Sequence, residues 1–279
     1  MKITIWGCRG SIPTPGESTI KYGGNTTCIA LYPDDNDNKP IIIDAGTGIR
    51  LLGNQLSSIR NPLELNILFT HTHWDHIQGF PFFAPANNSQ NTITIYGHSE
   101  TGKGLKNRIL AQMDQRNFPI SYESLKAKIK FSEIAGDFIL NGTGIQILEL
   151  NHPGSGMGFR FSKDDKSFVF ITDHELSDKP YIGGDYRHTL EFCRGADLLI
   201  HDAQYLASEY PNYKGWGHST IENACEMALE AAVGEFFFFH HDPDRTDNEI
   251  DNIESDLQES AQCKSITCLA AREGMVIEI

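Results

Sequence analysis

The segment His71-Thr72-His73-Trp74-Asp75-His76 places three imidazoles and a carboxylate within six residues. It directly follows an apolar run at 65–69, which is typical of a buried strand. Neutral imidazole is a good ligand for zinc and similar divalent ions, and carboxylates complete or bridge such sites. A histidine-rich surface loop is the simpler alternative. Because the histidines and the aspartate follow the end of a strand, the pattern favours a metal site, with the first two histidines facing one ion and the last two residues facing a second.

Four further predicted strands also end in polar residues that can bind a metal. Their ends carry the sequences Asn151-His152-Pro153, Asp173-His174-Glu175, His201-Asp202 and His240-His241-Asp242. Taken singly, such a residue is more often a helix cap or a support for a ligand. Because the ends of neighbouring strands converge on one rim of a sheet, where α/β proteins place their active sites, we expect these side chains to lie close together.

The length and the charge of the chain limit its class. A chain of 279 residues suits one large α/β domain or two small ones. Strands and helices alternate in both halves with no linker between them, which predicts a single layered domain over residues 1–279. The net charge of −14 argues against a long nucleic acid as partner, although bound metal ions can still attract a small anionic substrate.

Cysteine usage and hydropathy indicate the compartment. The six cysteines are scattered and form no C-x-x-C pair, so most are predicted to be small buried residues in a reducing environment. Cys263 and Cys268 are near neighbours but lack two further ligands for a metal. The N-terminus has no signal-peptide core and no run reaches transmembrane length, which predicts a cytoplasmic protein without a membrane partner.

Residues 101–130 reverse the charge of an acidic chain. They carry a set of basic side chains against only Asp114 and Glu123: Lys103, Lys106, Arg108, Arg116, Lys126, Lys128 and Lys130. A solvated amphipathic helix with a flexible tail is one interpretation. A basic lip over an anionic substrate is the other, and both stay open. The apolar, proline-broken run at 79–83 is interpreted as a helix end or a pocket wall.

Two tetrapeptides predict helix starts. Ser219-Thr220-Ile221-Glu222 and Thr246-Asp247-Asn248-Glu249 both have the pattern of a capping box, in which the first hydroxyl and the last carboxylate satisfy each other's backbone N–H groups. The first of these boxes follows His218 directly. It therefore predicts that this histidine lies at the entrance of a helix.

The ordered set of strand-end residues resembles the metallo-β-lactamase fold superfamily of hydrolases. That signature is H-x-H-x-D-H, then a lone His, a lone Asp and a late His, and the resemblance extends from the Asp44-Ala45-Gly46 turn to His240. It implies a four-layer αββα sandwich with a dinuclear metal site. The implied ligands are His71, His73 and His152 for one metal, Asp75, His76 and His240 for the other, and Asp173 as the bridge. His241 competes with His240, which is preferred because it comes first after the strand.

A closer resemblance is to the branch of phosphodiesterases that includes ribonuclease Z and the cyclic phosphodiesterase of the carbon–phosphorus-lyase pathway. Gly217-His218-Ser219-Thr220 looks like the stretch that supplies the non-ligand histidine of that branch, and Asp202 stands where its acidic partner is found. The resemblance implies catalytic roles for His218, Asp202 and Asp75. Ribonuclease Z carries a long arm that grips tRNA, but only about twenty residues separate His152 from Asp173 here. The substrate is therefore predicted to be small.

The predicted reaction is hydrolysis of a small nucleotide-like or cyclic phosphodiester. Two divalent ions, zinc by preference with manganese or iron as alternatives, can share a hydroxide and lower its pKa. A histidine that is not a ligand can protonate an alkoxide leaving group. The main alternative is hydrolysis of a lactone, a thioester or another carboxylic ester or amide on the same site. A di-iron redox module and a silent binding module are further alternatives, and a second copy of the chain is a candidate partner.

Overall fold

The computed structural model describes residues 1–34, 39–59, 62–98, 104–259 and 266–279. Within these residues the strands form two seven-stranded sheets. The first sheet has the order β14-β1-β2-β3-β4-β5-β6, in which β3 to β6 are parallel. Its strands are β1 Lys2–Gly7, β2 Cys28–Tyr32, β3 Ile41–Ile43, β4 Glu64–Leu68, β5 Thr92–Gly97, β6 Lys128–Glu133 and β14 Val276–Glu278.

The second sheet has the order β13-β12-β11-β10-β9-β8-β7. Strands β10 to β13 are parallel, and β7 to β10 form antiparallel hairpins. The strands are β7 Phe138–Leu140, β8 Thr143–Glu149, β9 Met157–Lys163, β10 Lys166–Ile171, β11 Leu198–Asp202, β12 Glu235–Phe239 and β13 Thr267–Ala270. The two sheets thus each contain a parallel half, whose carboxyl ends are available to build a site.

Six α-helices and five short 3₁₀ helices are present in the described residues. The α-helices are α1 Ile49–Ser57, α2 Trp74–Ile77, α3 Gly104–Ala111, α4 Tyr186–Cys193, α5 Ile221–Glu230 and α6 Asp247–Glu259. The 3₁₀ helices are Glu17–Thr19, Phe80–Phe82, Ala84–Asn87, Tyr122–Ser124 and Tyr210–Asn212. Helix α4 was not among the elements expected from the sequence.

Three buried apolar clusters show how the layers pack. In β12, Phe237 and Phe239 belong to the cluster between the sheets, whereas Phe236 and Phe238 belong to the cluster that β10 to β13 form with α4, α5 and α6. A third cluster joins the first sheet to α1 and α3. Because both faces of β12 are covered, its sequence is an uninterrupted apolar run after Glu235 rather than an alternating one. The predicted αββα sandwich is confirmed.

The two predicted capping boxes have different outcomes. At α6 the box forms, because Glu249 N donates to Thr246 Oγ1 (3.3 Å) and Thr246 N donates to the Glu249 carboxylate (2.7 Å). At α5 the prediction is wrong by one residue, since Thr220 is the cap and accepts from Asn223 N (3.1 Å). The Ser219 hydroxyl instead donates to the backbone carbonyl of His174 (2.6 Å), which ties the start of α5 to the end of β10.

Candidate metal centre

The histidine-rich segment lies where β4 ends and α2 begins. His71 lies between the strand and the helix, and His73 is the residue before the helix, with φ −66° and ψ 158°. Asp75 and His76 lie in the single turn of α2 and are both buried. Ending the strand and starting a helix within so few residues turns all four side chains to the same rim.

The structure gathers the predicted residues into two groups that share one member. Within each group, the atoms that could coordinate a metal lie within 4.8 Å of one another. The groups are His71, His73, His152 and Asp173, and Asp75, His76, Asp173 and His240. Such sets of imidazole nitrogens and carboxylate oxygens are suited to divalent metal ions.

Asp173 lies at the centre of both groups, one oxygen toward each. Its Oδ1 is 3.2 Å from His76 Nε2 and 3.1 Å from His240 Nε2. Its Oδ2 is 3.5 Å from His71 Nε2 and 3.7 Å from His152 Nε2. The backbone φ of +53° at Asp173 departs from the strand geometry of β10 and turns the carboxylate toward the rim.

Hydrogen bonds to oxygen fix the tautomers of two histidines. His76 Nδ1 donates to Asp44 Oδ2 (2.8 Å), which leaves Nε2 with its lone pair. The Thr70 hydroxyl donates to the same Asp44 oxygen (2.7 Å), so His71 Nδ1 must donate to Thr70 Oγ1 (3.1 Å). As a result, the Nε2 atoms of His71 and His76 are buried without a hydrogen-bond partner among the described residues.

The other two strand-end histidines are oriented in the same way. His152 Nδ1 donates to the carbonyl of Gly217 (3.0 Å), and His240 Nδ1 donates to Gln204 Oε1 (3.1 Å). Each ring therefore presents the lone pair of Nε2 to the Asp173 carboxylate, and Asp75 Oδ2 is also only 3.3 Å from His240 Nε2. Lone pairs facing carboxylate oxygens repel one another unless a cation lies between them, so the donor set fits metal ions.

The pKa shifts of His76 and Asp173 also indicate that positive charge is favoured at the centre. Burial disfavours the charged form of His76, yet Asp75, Asp173 and Asp44 hold its pKa well above the ordinary value. Burial likewise disfavours ionised Asp173, yet His240, His76 and His71 hold the pKa of its carboxyl well below the ordinary value. These carboxylates therefore require a cation beside them, which a proton or a metal ion supplies.

His218 lies beside both groups and pairs with Asp202. Its ring centroid is 5.3 Å from that of His152 and 5.0 Å from that of His240. His218 Nδ1 is 3.0 Å from Asp202 Oδ2, a carboxylate that also accepts from the backbone N–H groups of His174 (3.0 Å) and Gln204 (3.2 Å). Burial works against protonation, but Asp202 and then the more distant carboxylates raise the pKa of His218 to about 9.

The two histidines left open by the sequence point away from the groups. His241 Nε2 donates to the backbone carbonyl of Ala271 (2.7 Å), while burial lowers its pKa to about 3. His174 uses both ring nitrogens elsewhere, since Nδ1 accepts from Asn151 N (3.0 Å) and Nε2 donates to Thr189 Oγ1 (3.0 Å). Of the two candidates after β12, it is His240 that lies in the cluster.

Three residues that orient the site were not predicted. Asp44 holds His76, and Gln204 holds His240. Glu175 is buried, and its carboxylate accepts from the N–H groups of Gly215 (2.9 Å) and Gly217 (3.1 Å) and from the Tyr210 hydroxyl. Asp44 follows an apolar strand, which is the same signal that identified the strand-end residues elsewhere, and this signal could have found it.

Glycine is required where the loop from Gly215 to His218 approaches the centre. Gly217 has φ +88°, and a Cβ there would lie 2.1 Å from His152 Nδ1. The carbonyl of this residue is the one that orients His152. Glu175 thus positions both His152 and His218 through one short loop.

The chain between His152 and Asp173 is a plain hairpin. Strands β9 and β10 are joined by a tight turn at Asp164 and Asp165, whose φ values are +50° and +60°. All residues of this segment are described, and none of them forms an arm.

The basic residues of 101–130 are divided between two places. Arg108 and Arg116 line a cleft beside the histidine-rich segment. Lys128 and Lys130 are instead exposed on the edge strand β6. Lys103 lies outside the described residues, as does Cys263. Cys268 is instead close to Cys225, with 3.6 Å between the sulfurs.

Comparison with known proteins places the chain in a family. Residues 39–241 match the model of the beta-lactamase superfamily domain. The chain belongs to this superfamily. It is 29% identical to ribonuclease Z of Lactococcus lactis subsp. cremoris, over 77% of the chain and 83% of that protein.

Solved structures share the fold over nearly the whole chain. A diphosphatase from the PhnP family superposes with a TM-score of 0.71 at 19% identity, covering 100% of this chain and 97% of the other. Human tRNase Z, short form, has a TM-score of 0.66 at 20% identity, covering 100% and 99%. The predicted membership of the metallo-β-lactamase hydrolases, near the ribonuclease Z branch, is confirmed.

Within the described ranges, no helix is both long enough and apolar enough to cross a bilayer.

Proposed function

We propose that this protein is a metal-dependent phosphodiesterase that hydrolyses a small nucleotide-like or cyclic phosphodiester. Ribonucleases Z are among its relatives, and one fold neighbour is a diphosphatase, so phosphorus–oxygen chemistry is favoured over the lactone, thioester or amide alternative. The donor set of the candidate centre supports a metal-dependent reaction.

The proposed metal ligands are the members of the two groups. One ion would be held by His71, His73 and His152, the other by Asp75, His76 and His240, and Asp173 would bridge them. When bound, such ions polarise the phosphoryl oxygens and activate water. Asp44, Thr70, Gly217 and Gln204 would keep the imidazoles in the tautomer that coordination requires.

The observation that carries the proposal is the His218–Asp202 pair. Asp202 fixes Nδ1 of His218, so Nε2 is the nitrogen that can meet a bound substrate. An alkoxide is a poor leaving group, and its oxygen must gain a proton as the bond to phosphorus breaks. A protonated imidazole can donate that proton from Nε2 while Asp202 holds the ring in place.

The short connection between His152 and Asp173 supports a small substrate. The β9–β10 hairpin has no extension that could hold an RNA body, and the acidic chain would repel one. Zinc as the native metal, one domain over residues 1–279, a cytoplasmic location and a homodimer complete the proposal. Elemental analysis, limited proteolysis, cell fractionation and sedimentation, in that order, test these four points.

The first experiment measures metals and substrate class together. Metal-replete protein is expected to hold about two ions per chain. It should hydrolyse bis(p-nitrophenyl) phosphate, followed by natural cyclic and linear nucleotides, in preference to a lactone and a thioester. Well under one metal per chain after reconstitution, or turnover of the lactone or thioester alone, contradicts the proposal.

Replacing His218 tests the proton donor. The His218→Ala variant should keep its metals and lose about 10²–10⁴-fold in kcat for a substrate with an alkoxide leaving group. The loss should be much smaller for p-nitrophenyl esters, because p-nitrophenolate leaves without a proton. His188→Ala, which removes an exposed histidine on α4, is the matched control. Equal losses on both substrates would mean that His218 only supports the structure.

A further inference from the structure

A cleft of about 860 Å³ opens beside the histidine-rich segment, and the proposed chemistry leaves it without a role. Its lining combines aromatic and polar side chains, including Trp74, Phe82, Arg108, Gln112, Arg116 and Phe118. Thr72 also lines it, and this residue lies between His71 and His73. The cleft therefore adjoins the candidate metal centre.

Trp74 is the most unusual residue of the cleft. It is adjacent in sequence to Asp75, yet 82% of it is exposed, whereas Asp75 is only 5% exposed. Among the described residues no aromatic ring packs against it. An indole left in water beside a buried catalytic centre exposes a flat apolar surface, which is the geometry that favours stacking with a ligand.

Phe82 and Phe118 form a second aromatic surface. Their ring centroids are 5.3 Å apart with an interplanar angle of 79°, and 57% of Phe82 is exposed. This pair comes from two distant segments, the 3₁₀ helix after α2 and the loop after α3. The proline-broken run at 79–83 was predicted to be a helix end or a pocket wall. It contains a short 3₁₀ helix, and it also lines the cleft through Pro81 and Phe82.

One arginine of the cleft is placed for an anionic ligand. Arg108 Nη1 donates to Thr72 Oγ1 (3.1 Å), and Arg108 also lines a narrower cavity with His71, so its guanidinium lies between the cleft and the centre. Arg116 is paired with Asp114 (2.8 Å) and adds little net charge. Gln112 also lines the cleft, and its Nε2 is buried without a hydrogen-bond partner in the described part of the chain.

We propose that this cleft binds the nucleobase of the substrate, stacked on Trp74, with Arg108 near the phosphate. This inference rests on the proposed function and narrows its substrate class to nucleotides. The rival position is Trp216, on the His218 side, which is 60% exposed but already packs against Tyr213 (5.4 Å). The cavity nearest to that loop is smaller, about 260 Å³.

The test compares ligands that differ only in the base. Binding of adenosine monophosphate and of ribose 5-phosphate to metal-loaded protein is measured by calorimetry. The wild type should bind the nucleotide about ten-fold or more tightly, because base–aromatic stacking has an effect of this size. Trp74→Ala should abolish that preference while ribose 5-phosphate affinity stays the same. Trp74→Phe should keep most of it but lose the quenching of tryptophan fluorescence by the nucleotide.

Two control variants make the result specific. Trp216→Ala removes the rival aromatic surface, and Ile139→Ala removes a 77% exposed apolar side chain on β7. Both should keep the base preference. The inference fails if the wild type does not distinguish the two ligands, if Trp74→Ala weakens both equally, or if Trp216→Ala abolishes the preference.

Failure of the inference is separable from failure of the proposed function. Turnover of phosphodiesters by the wild type tests the proposed reaction. The preference for adenosine monophosphate over ribose 5-phosphate tests whether the cleft binds a base, whatever the turnover result is.

Discussion

The two sides of the candidate metal centre differ in how they are built. On the side of His218, the His218–Asp202 pair is buried, and Glu175 holds the loop before His218. These hydrogen bonds cross the sequence by 16 to 42 residues. On the side of Trp74, the cleft is open, and its aromatic surface is exposed to water. One side is held in place by hydrogen-bonded polar groups, whereas the other exposes apolar surface to water.

This difference indicates that the buried side positions reacting groups and the open side binds the ligand. A buried hydrogen-bonded network positions groups closely, since leaving any member unpaired costs about 1–3 kcal/mol. An exposed aromatic cleft tolerates variation and gains energy only when a ligand covers it. Changes on the buried side are therefore expected to lower kcat, and changes on the open side to raise KM or Kd.

The largest expected effect comes from Asp173. This residue belongs to both groups of candidate metal ligands, so its replacement should affect the buried side and the open side alike. Asp173→Ala removes a carboxylate that lies within 3.7 Å of the Nε2 atoms of four histidines, His71, His76, His152 and His240. Loss of a residue that merely orients a ligand costs about 10–100-fold, so loss of the bridge should cost more and should empty both positions. Elemental analysis and turnover measure this.

A surface aspartate provides the control for that variant. Asp256→Ala on α6 removes an exposed carboxylate and should change neither metal content nor turnover. Two ions still bound to Asp173→Ala would contradict the bridging assignment.

The extent to which the sequence predicted this site depended on how local each signal is. Residues 71–76 are contiguous, so their grouping needs only the end of a strand and the start of a helix. His152, Asp173 and His240 follow separate strands, and the resemblance to a known superfamily supplied their order. Asp44 was missed although it follows an apolar strand, and the groups that its carboxylate holds, Thr70 and His76, lie 26 and 32 residues away. Glu175 was missed because the groups that its carboxylate accepts from lie 35 to 42 residues away, and only the packed sheets bring them together.

Boundaries and exposure were harder to predict. The cap of α5 is Thr220 rather than Ser219, because the Ser219 hydroxyl is used by the backbone after β10. Trp74 has the sequence setting of a buried helix residue, and nothing in its neighbours indicates that 82% of it is exposed. Tertiary contacts determine both the cap of α5 and the exposure of Trp74. The hydrophobic periodicity of the sequence carries no information about such contacts.

Replacing Glu175 tests whether the hydrogen bonds of the buried side act by positioning His218. Glu175→Gln keeps the shape but replaces one acceptor oxygen with a donor that faces the N–H groups of Gly215 and Gly217. We expect kcat for alkoxide leaving groups to fall about ten-fold, equivalent to ~1.4 kcal/mol, and the melting temperature to fall as well. The loss for p-nitrophenyl esters should be smaller, because the displaced group is His218, the proposed proton donor.

The matched control is Glu230→Gln, whose carboxylate also accepts from a tyrosine hydroxyl, that of Tyr186, but on an exposed surface. It should leave the ratio of the two substrates unchanged. If Glu175→Gln lowers both rates equally, Glu175 stabilises the fold without positioning His218.

The smallest expected effect is on the open side, at Arg108. Its guanidinium lies at the junction of the cleft and the centre, where it contacts Thr72, but it is partly exposed and therefore screened by salt. Arg108→Gln should raise KM for an anionic substrate by roughly 3- to 10-fold at low ionic strength, with metal content and kcat little changed. Raising the salt concentration should reduce the difference between the variant and the wild type. Lys128→Gln removes the same charge from the exposed edge strand β6 and should have no such effect. If both variants change KM equally, the net charge of the chain attracts the substrate and Arg108 has no local role; if only Arg108→Gln does, the open side recognises the anion at a defined place.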